Sequence, residues 1–157
     1  MKDHGDLKII GNTTPRYSFG LNLHAGYKGF EVSALFQGVM KRDFPMAAST
    51  YLFSGDSNFF KEHLDYYNVY NPGAYLPRLT KPDSPEYNAN VGYNTSRYLL
   101  NAAYMRLKNL MISYNFQPKL VKKMGLENLK VYFTCDNLFT IDNLPDVFDP
   151  ETLNQVN

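Results

Sequence analysis

The sequence has no tryptophan, a single cysteine and no long run of apolar residues. The lone Cys135 excludes an internal disulfide and leaves the redox compartment undetermined. A membrane-spanning helix needs about 20 consecutive apolar residues, and no stretch approaches that length, which excludes a helical membrane protein. The formal net charge of +1 favours no polyanionic partner, so nucleic acid is not an expected ligand.

Aromatic side chains are what the sequence has in abundance, with 13 Tyr and 11 Phe among 157 residues. Such side chains pack well on the pleated surface of a sheet. In a membrane barrel each strand alternates apolar and polar side chains, so the average composition stays polar. The composition therefore predicts a β-rich protein, either soluble or inserted in a membrane.

Apolar and polar residues alternate through residues 16–27 and again through residues 30–40, with Lys28-Gly29 as a tight turn between them. A period of two is typical of a β-strand, and glycine accommodates the positive φ that such a turn requires. We therefore predict a hairpin whose two faces differ in chemistry. Its apolar face carries Phe19, Leu21, Leu23, Val32 and Phe36, and its polar face carries Asn22, His24, Glu31 and Gln37.

Two further strands are predicted at residues 99–116 and 129–138. In the first, Arg106 and Lys108 lie in phase with apolar residues further along, so one face changes from charged to apolar halfway. A β-bulge would explain this change, and so would a strand that leaves the membrane partway. These strands add Ile112, Val131 and Phe133 to the apolar face and Thr134 and Asp136 to the polar face.

A long segment, residues 41–98, separates the two strand pairs and is rich in proline, asparagine and tyrosine. Connections of this length inside compact domains are usually functional loops. Within it, Ser57–Tyr67 predicts a short helix with Ser57 as the N-cap. The loop tyrosines could stack on sugar rings, or pack against neighbouring loops or a partner protein. The candidate contact residues are Tyr51, Tyr66, Tyr67 and Tyr75.

Short and long connections alternate along the chain: the tight turn, the long segment, a short connection at 117–128 and a loop-like tail from Asn143. In antiparallel order, the short connections fall at one end of the sheet and the long ones at the other. Bacterial outer-membrane barrels are built in this way. Each predicted strand is also close to the about 9–11 residues of a tilted membrane strand.

Two hypotheses of different classes stay open at this point. In a membrane barrel, the apolar face contacts lipid and the polar face lines a wet lumen. A soluble β-domain would instead bury its apolar face against a second sheet and bind carbohydrate through the aromatic loop. The two differ in what covers the apolar face.

Six runs of residues resemble, in order, the carboxy-terminal region of the SusC/RagA family of TonB-linked outer-membrane transporters of Bacteroidota. The resemblance covers nearly the whole chain, and the order and spacing of the runs make it specific. The last run is similar to the segment that precedes the terminal strand in this family. The runs are Asp6–Asn12, Thr14–Gly20, Gly29–Gly38, Tyr75–Leu79, Tyr104–Leu110 and Val131–Thr140.

The resemblance implies a large antiparallel transmembrane barrel of about 22 strands, plugged by an N-terminal domain. The chain would supply the four strands predicted above, while the plug, the segment that engages TonB and a final strand would lie outside it. Family members import glycans or peptides across the outer membrane, with a SusD-type lipoprotein capping the extracellular mouth. The implied partners are the rest of the barrel and plug, a SusD-like lipoprotein, the TonB complex, outer-membrane lipid and a glycan or peptide substrate.

Residue types that often carry catalysis or bind metals form no recognisable site. The spacings of His4, His24 and His63 match no ligand motif, and the acidic residues near the C-terminus lack the pattern of a calcium loop. No nucleophile is accompanied by a base. We therefore expect no enzyme activity, no cofactor and no metal.

Overall fold

The architecture is an antiparallel β-sheet with a few short helices, as the sequence predicts, and the described strands form an open sheet and not a closed barrel. The computed structural model describes residues 8–46, 61–81, 84–91 and 95–153. The chain divides into two compact units, which we call the sheet unit and the loop unit. The sheet unit comprises Thr14–Arg42 and Ala102–Asn143, and the loop unit comprises Met1–Thr13, Asp43–Asn101 and Leu144–Asn157.

The described part of the chain contains six strands and four short helices. The strands are β1 (Tyr17–Tyr27), β2 (Phe30–Met40), β3 (Asp43–Pro45), β4 (Leu99–Asn101), β5 (Tyr104–Asn115) and β6 (Lys130–Asp142). The helices are a 3-10 helix at Lys61–Leu64, α1 at Pro85–Val91, a second 3-10 helix at Ser96–Tyr98, and α2 at Pro118–Lys123.

The hairpin of β1 and β2 is closed by the two-residue turn Lys28-Gly29. Lys28 has a φ of 47° and Gly29 a φ of 91°. Positive values at both central positions are typical of a type I′ turn, whose twist matches that of the paired strands. A Cβ at Gly29 would lie 2.6 Å from the carbonyl oxygen of Asn115, so glycine is required for space as well. The predicted tight turn is confirmed.

The sheet unit is a four-stranded antiparallel sheet in the order β1-β2-β5-β6. Pairing between β2 and β5 is regular up to Leu35 opposite Asn109, and it then shifts so that Phe36 lies opposite Leu107. Lys108 is therefore the extra residue of a β-bulge. Of the two explanations for the mixed face of this strand, the structure shows the bulge.

The irregularity continues into β6, where Asn137 has a positive φ of 51°. Beyond it Phe139 pairs with Leu107, so the strand resumes its alternation and runs to Asp142. The predicted strand end at residue 138 is therefore wrong. A strand predicted from the alternation of apolar and polar residues ends at the bulge, because the bulge changes the phase of that alternation.

The predicted strand at residues 99–116 is interrupted at Ala102 and Ala103, and one continuous strand is the wrong description. β4 pairs with β3, which lies inside the segment predicted as loop, whereas β5 pairs with β2. Ala102 is fully buried and donates its backbone N–H to the carbonyl of Arg42 at 2.8 Å. Alternation indicates which side a residue faces, but it does not identify the partner strand.

The loop unit has a small core of its own, formed by Met46, Leu76 and Tyr98. The N–H of Met46 donates to the carbonyl of Tyr98 at 3.0 Å, directly after the pairing of β3 with β4. The two ends of the segment between them are thus held side by side in a short stem. Tyr66, Tyr87, Leu100, Val147 and Phe148 pack against this core.

Helix positions in the loop unit differ from the prediction. Of the helix predicted at Ser57–Tyr67, residues 57–60 lie outside the described residues. The described part contains only the 3-10 helix at Lys61–Leu64, and Tyr66 forms a β-bridge to Leu76 instead. The prediction is wrong for Asp65–Tyr67, because bridge pairing replaces helical hydrogen bonding there.

Two short α-helices begin at a proline, which tolerates the first helical position because it lacks an N–H. α1 was not predicted, although Ser84 is its N-cap: the Ser84 Oγ accepts a hydrogen bond from the N–H of Tyr87 at 3.1 Å. α2 lies between β5 and β6, buries Val121, and is followed by Gly125 with a φ of 75°. The short connection predicted at residues 117–128 therefore contains a helix of six residues.

A compact turn in the loop unit is organised by Asp65. Its carboxylate accepts hydrogen bonds from the Nδ2 of Asn71 at 2.9 Å and from the N–H of Tyr75 at 3.2 Å. These bonds, that of Asn71 foremost, hold the pKa of Asp65 below its ordinary value because they stabilise the ionised form.

Gly38 in β2 has no room for a side chain. A Cβ there would collide with the carbonyl oxygen of Tyr104 and lie 2.6 Å from the ring of Phe19. We expect Gly38→Ala to lower the free energy of unfolding by about 1–3 kcal/mol through overpacking. Gly20→Ala is the matched control, because its Cβ would lie 4.0 Å from the nearest atom, the carbonyl oxygen of Phe36. Urea unfolding followed by circular dichroism in detergent measures both, and equal losses would contradict the prediction.

The lowered pKa of Asp65 predicts a pH-dependent contribution to stability. The contribution is present above the unfolded-state pKa of about 3.9 and is lost as the pH falls through the lower folded-state pKa. We expect Asp65→Asn to lower the thermal midpoint at pH 6, with the difference from wild type shrinking as the pH falls below the unfolded-state pKa and through the folded-state pKa. Asp146→Asn is the control for loss of an exposed carboxylate. A difference that does not change with pH would refute the role of the ionised group.

Candidate functional site: the two faces of the sheet unit

One face of the sheet unit is apolar across all four strands. Directly paired residues in an antiparallel sheet share a face, and the paired positions on this face carry no charged side chain. Leu21 is 49% exposed and Phe133 is 64% exposed. This face includes Phe19, Leu21, Leu23, Val32, Phe36, Leu107, Ile112, Val131, Phe133, Phe139 and Ile141.

Aromatic rings gather where this apolar face meets the tight turn. The ring centroids of Phe30 and Tyr114 are 4.5 Å apart, and those of Tyr114 and Phe116 are 4.8 Å apart. Tyr27 pairs directly with Phe30, and the Lys28 ammonium lies 5.1 Å from the centroid of the Tyr27 ring. Rings of this kind are typical of the boundary between lipid and water around membrane barrels.

The opposite face carries a polar network centred on Glu31. Its carboxylate accepts hydrogen bonds from Lys130 Nζ at 2.7 Å, from Asn115 Nδ2 at 3.0 Å and from Ser113 Oγ at 3.3 Å. The network joins β2, β5 and β6. A half-exposed ion pair adds little stability, so the network mainly fixes where these side chains point.

A second polar row crosses β5 and β6 on the same face. Arg106 Nε donates to Thr140 Oγ1 at 2.6 Å. Asn109 Nδ2 donates to Asp136 Oδ1 at 2.7 Å and to Thr134 Oγ1 at 3.1 Å. Arg106 lies in this row because the bulge at Lys108 shifts the alternation of β5 by one residue. The shift places the guanidinium on the polar face and not on the apolar face.

The register also places the remaining predicted residues. Asn22, His24 and Gln37 lie on the polar face with Glu31, Thr134 and Asp136. The face is not uniformly polar, since Leu35 pairs with Asn22 and is 38% exposed. The structure thus separates the two predicted sets, while their contact with lipid and with a lumen stays a prediction.

The loop tyrosines expected to contact a substrate are placed differently from one another. Tyr51 lies outside the described residues. Tyr66 packs against the loop-unit core, Tyr67 is 46% exposed, and both line one cavity. Tyr75 donates its hydroxyl to the carbonyl of Arg97 at 2.9 Å, so it helps to hold the loop. Only the pair Tyr66 and Tyr67 is brought together in the described structure.

Sequence reasoning missed Arg97, which holds the loop unit together. Its guanidinium donates to the carbonyl oxygens of Ala74 at 2.7 Å and Tyr75 at 2.9 Å. It also lies 5.8 Å and 6.0 Å from the ring centroids of Tyr75 and Tyr98. Burial raises the pKa of both tyrosines, although the positive charge of Arg97 opposes the shift. Contacts across more than 20 positions leave no local pattern, so no signal in the sequence marks this residue.

Neither a metal-binding cluster nor a membrane-spanning helix is found within the described ranges. No group of three or more His, Cys, Asp or Glu side chains there could hold a metal ion. No helix in that part of the chain has the length and apolar character needed to cross a membrane.

The known proteins with similar sequences are TonB-dependent receptors. No family model matches the chain. The chain is 32% identical over 146 residues to TonB-dependent receptor P3 of Formosa agariphila, a match that covers 93% of the chain and 14% of that receptor. It is 26% identical over 151 residues to TonB-dependent receptor P26 of the same organism, covering 95% of the chain and 15% of that receptor. The chain therefore spans about one-seventh of the length of these relatives.

Solved structures give the same relationship in three dimensions. The RagAB peptide importer in its open-open state matches with a TM-score of 0.65 and 26% identity, over 92% of this chain and 15% of that chain. A second RagAB peptide transporter structure matches with a TM-score of 0.65 and 25% identity, over 91% of this chain and 15% of that chain. These names describe receptors and importers, not enzymes. In sequence and in fold, this chain is similar to a segment of TonB-dependent receptors of the SusC/RagA type.

Proposed function

We propose that this chain forms part of the wall of a TonB-dependent outer-membrane β-barrel that imports nutrients. The observation that carries the proposal is the separation of charged from apolar residues across four paired strands. A strand of 11 residues is about 36 Å long. At a tilt of about 40° it covers the apolar band of an outer membrane, which is about 25 Å tall. The apolar face then contacts lipid and the polar face lines the lumen.

The connections support one orientation of this segment. The Lys28-Gly29 turn and the α2 connection leave the sheet at the same end, since the N–H of Asn115 donates to the carbonyl of Gly29 at 2.7 Å. The long segment between β2 and β5 leaves at the opposite end. Because outer-membrane barrels have short periplasmic turns and long extracellular loops, we assign the turn end of the sheet to the periplasm and the end at which the long segment leaves to the outside.

The edges of the sheet indicate what else the barrel needs. β1 and β6 each present one edge that no described strand pairs. Unpaired N–H and C=O groups are costly in lipid, and open edges promote aggregation in water. We infer that further strands of the same barrel pair with both edges and that a plug occupies the lumen.

Substrate and partners belong to the same proposal. The similarity to the RagAB peptide importer supports a peptide substrate, and the resemblance to the SusC/RagA family extends the possible substrates to glycans. That resemblance also supports a SusD-like lipoprotein at the extracellular side and energy supplied through the TonB complex. Outer-membrane lipid is then the solvent of the apolar face.

The assignment of faces is tested with arginine at two neighbouring positions of β1. Leu21 and Asn22 point to opposite sides of the pleat. In the full-length protein, Leu21→Arg near the membrane midplane is expected to cost about 2–4 kcal/mol, while Asn22→Arg in the lumen is far better tolerated. Heat-modifiable migration of membrane-extracted protein measures the folded fraction.

A second pair in β6 provides an independent repeat: Phe133→Arg should reduce the folded fraction far more than Thr134→Arg. Equal losses within each pair would mean that both faces are buried in protein. The reverse order would mean that the lipid and lumen faces are exchanged. Either result would remove the main support for the barrel.

A second candidate is a soluble β-domain that binds carbohydrate through its loop aromatics. The observation in its favour is the exposure of Tyr67, 46%, and of Tyr70, 97%. Against it stands the apolar face of the sheet unit, on which Leu21 is 49% exposed and Phe133 is 64% exposed.

Behaviour in water separates the two candidates. We expect the isolated chain to aggregate in plain buffer and to become monodisperse in detergent, because its apolar face and strand edges are exposed. Size-exclusion chromatography with light scattering measures the difference. A protease-resistant monomer that unfolds cooperatively in plain buffer would favour the soluble domain.

A further inference from the structure

Two neighbouring pockets of the loop unit share Arg78 and Leu79 in their lining, and we call them together the loop groove. Its two parts have volumes of about 520 Å³ and about 270 Å³, and Arg78 and Leu79 line both. All of its lining residues belong to the loop unit. One end is lined by Tyr66, Tyr67 and Val69, and the other by Thr80, Lys81 and Ser84.

The two ends of the loop groove differ in chemistry. Tyr67 and Val69 are exposed at the first end, where Val69 keeps 89% of its surface in solvent. Exposed apolar side chains grouped beside polar ones often mark a binding site. At the second end, two cations line the groove, which makes it complementary to an anion.

These two cations, Arg78 and Lys81, are available to a ligand. Both side chains are exposed, and no described residue forms a hydrogen bond or ion pair with either of them. Glu86, the one acid among the described lining residues, already has an interaction of its own. The described lining therefore carries a net positive charge, and a guanidinium beside an ammonium is well suited to a carboxylate.

Thr80 supplies a second, independent observation. Its Oγ1 is buried and has no hydrogen-bond partner among the described residues, and the residue lines the groove between Arg78 and Lys81. A buried hydroxyl without a partner is unfavourable. A ligand oxygen that accepted its hydrogen bond would remove that cost.

We propose that the loop groove binds the C-terminal end of a peptide. The carboxylate lies between Arg78 and Lys81 and accepts the hydrogen bond of Thr80, and an apolar last side chain lies against Leu79 and Tyr67. A neutral sugar would leave the two cations without a counter-charge, which favours the peptide. The inference rests on the proposed import function and names one site at which its substrate is held.

The test uses the full-length protein in detergent and three fluorescent probes. They are the tripeptide Gly-Gly-Leu with a free carboxylate, the same peptide as its C-terminal amide, and maltotriose. Fluorescence anisotropy measures each affinity. The carboxylate is expected to bind about tenfold more tightly than the amide, because charge-assisted hydrogen bonds are the strong ones.

Substitutions test which residues cause the preference for the carboxylate. The double variant Arg78→Gln, Lys81→Gln should lose the tenfold preference and bind the amide as wild type does. The matched control for lost charge is Lys119→Gln with Lys122→Gln, which removes two exposed lysines of α2. Glu86→Gln should raise the affinity for the carboxylate. Thr80→Val should weaken carboxylate binding about fivefold without lowering the thermal midpoint, since it removes a hydroxyl that has no partner.

The outcomes separate this inference from the proposed function. Equal binding of carboxylate and amide by wild type would overturn the groove assignment, and so would a preference that survives in the Arg78→Gln, Lys81→Gln variant. Tight binding of maltotriose that depends on Tyr67 would overturn it in favour of sugar. None of these results alters the folded fraction of the arginine variants in β1 and β6, which tests the barrel independently of the groove.

Discussion

The pairing of β2 with β5 is the constraint on which the two faces of the sheet depend. It joins strands separated in the sequence by the loop-unit segment Asp43–Asn101 and places Leu35 opposite Asn109. Because the period of a strand is two, a slip of one residue would move every side chain of one hairpin to the other face. Arg106 would then lie among leucine and isoleucine side chains. The bulge at Lys108 prevents this, since it absorbs one residue where the alternation changes phase.

The two units gain their stability from different sources. The loop unit buries Met46, Leu76 and Tyr98 among its own residues and is held by the hydrogen bonds of Arg97. The sheet unit leaves large apolar side chains exposed on one face. Its strands pair with one another through backbone hydrogen bonds, but nothing within the sheet removes that apolar face from water. The apolar surroundings that would stabilise the face must therefore come from outside the sheet. A lipid solvent meets this need, which links the energetics of the fold to the proposed location.

The parts of the fold that the sequence predicts are those that depend on near neighbours. The hairpin, its turn at Lys28-Gly29 and the membership of each face follow from alternation and from glycine. The break at Ala102 could not be predicted, because it reflects a change of partner strand. The extension of β6 past Asn137 was missed because a positive φ in a bulge leaves no periodic signal. Of the candidate site, both faces were predicted, whereas Arg97 and the free cations of the loop groove depend on contacts that alternation does not report.

The short stem of β3 and β4 has a consequence for how this chain can vary. It brings Met46 and Tyr98 within one hydrogen bond of each other, so the segment between them begins and ends at almost the same point. The entropy of closing such a segment grows slowly with its length, by about 0.6 kcal/mol for each doubling. Residues can therefore be added, removed or exchanged beyond the stem at little cost to the strands before and after it. On the proposed function, the stem would allow the ligand specificity of the loop unit to change without any change to the strands that contact lipid.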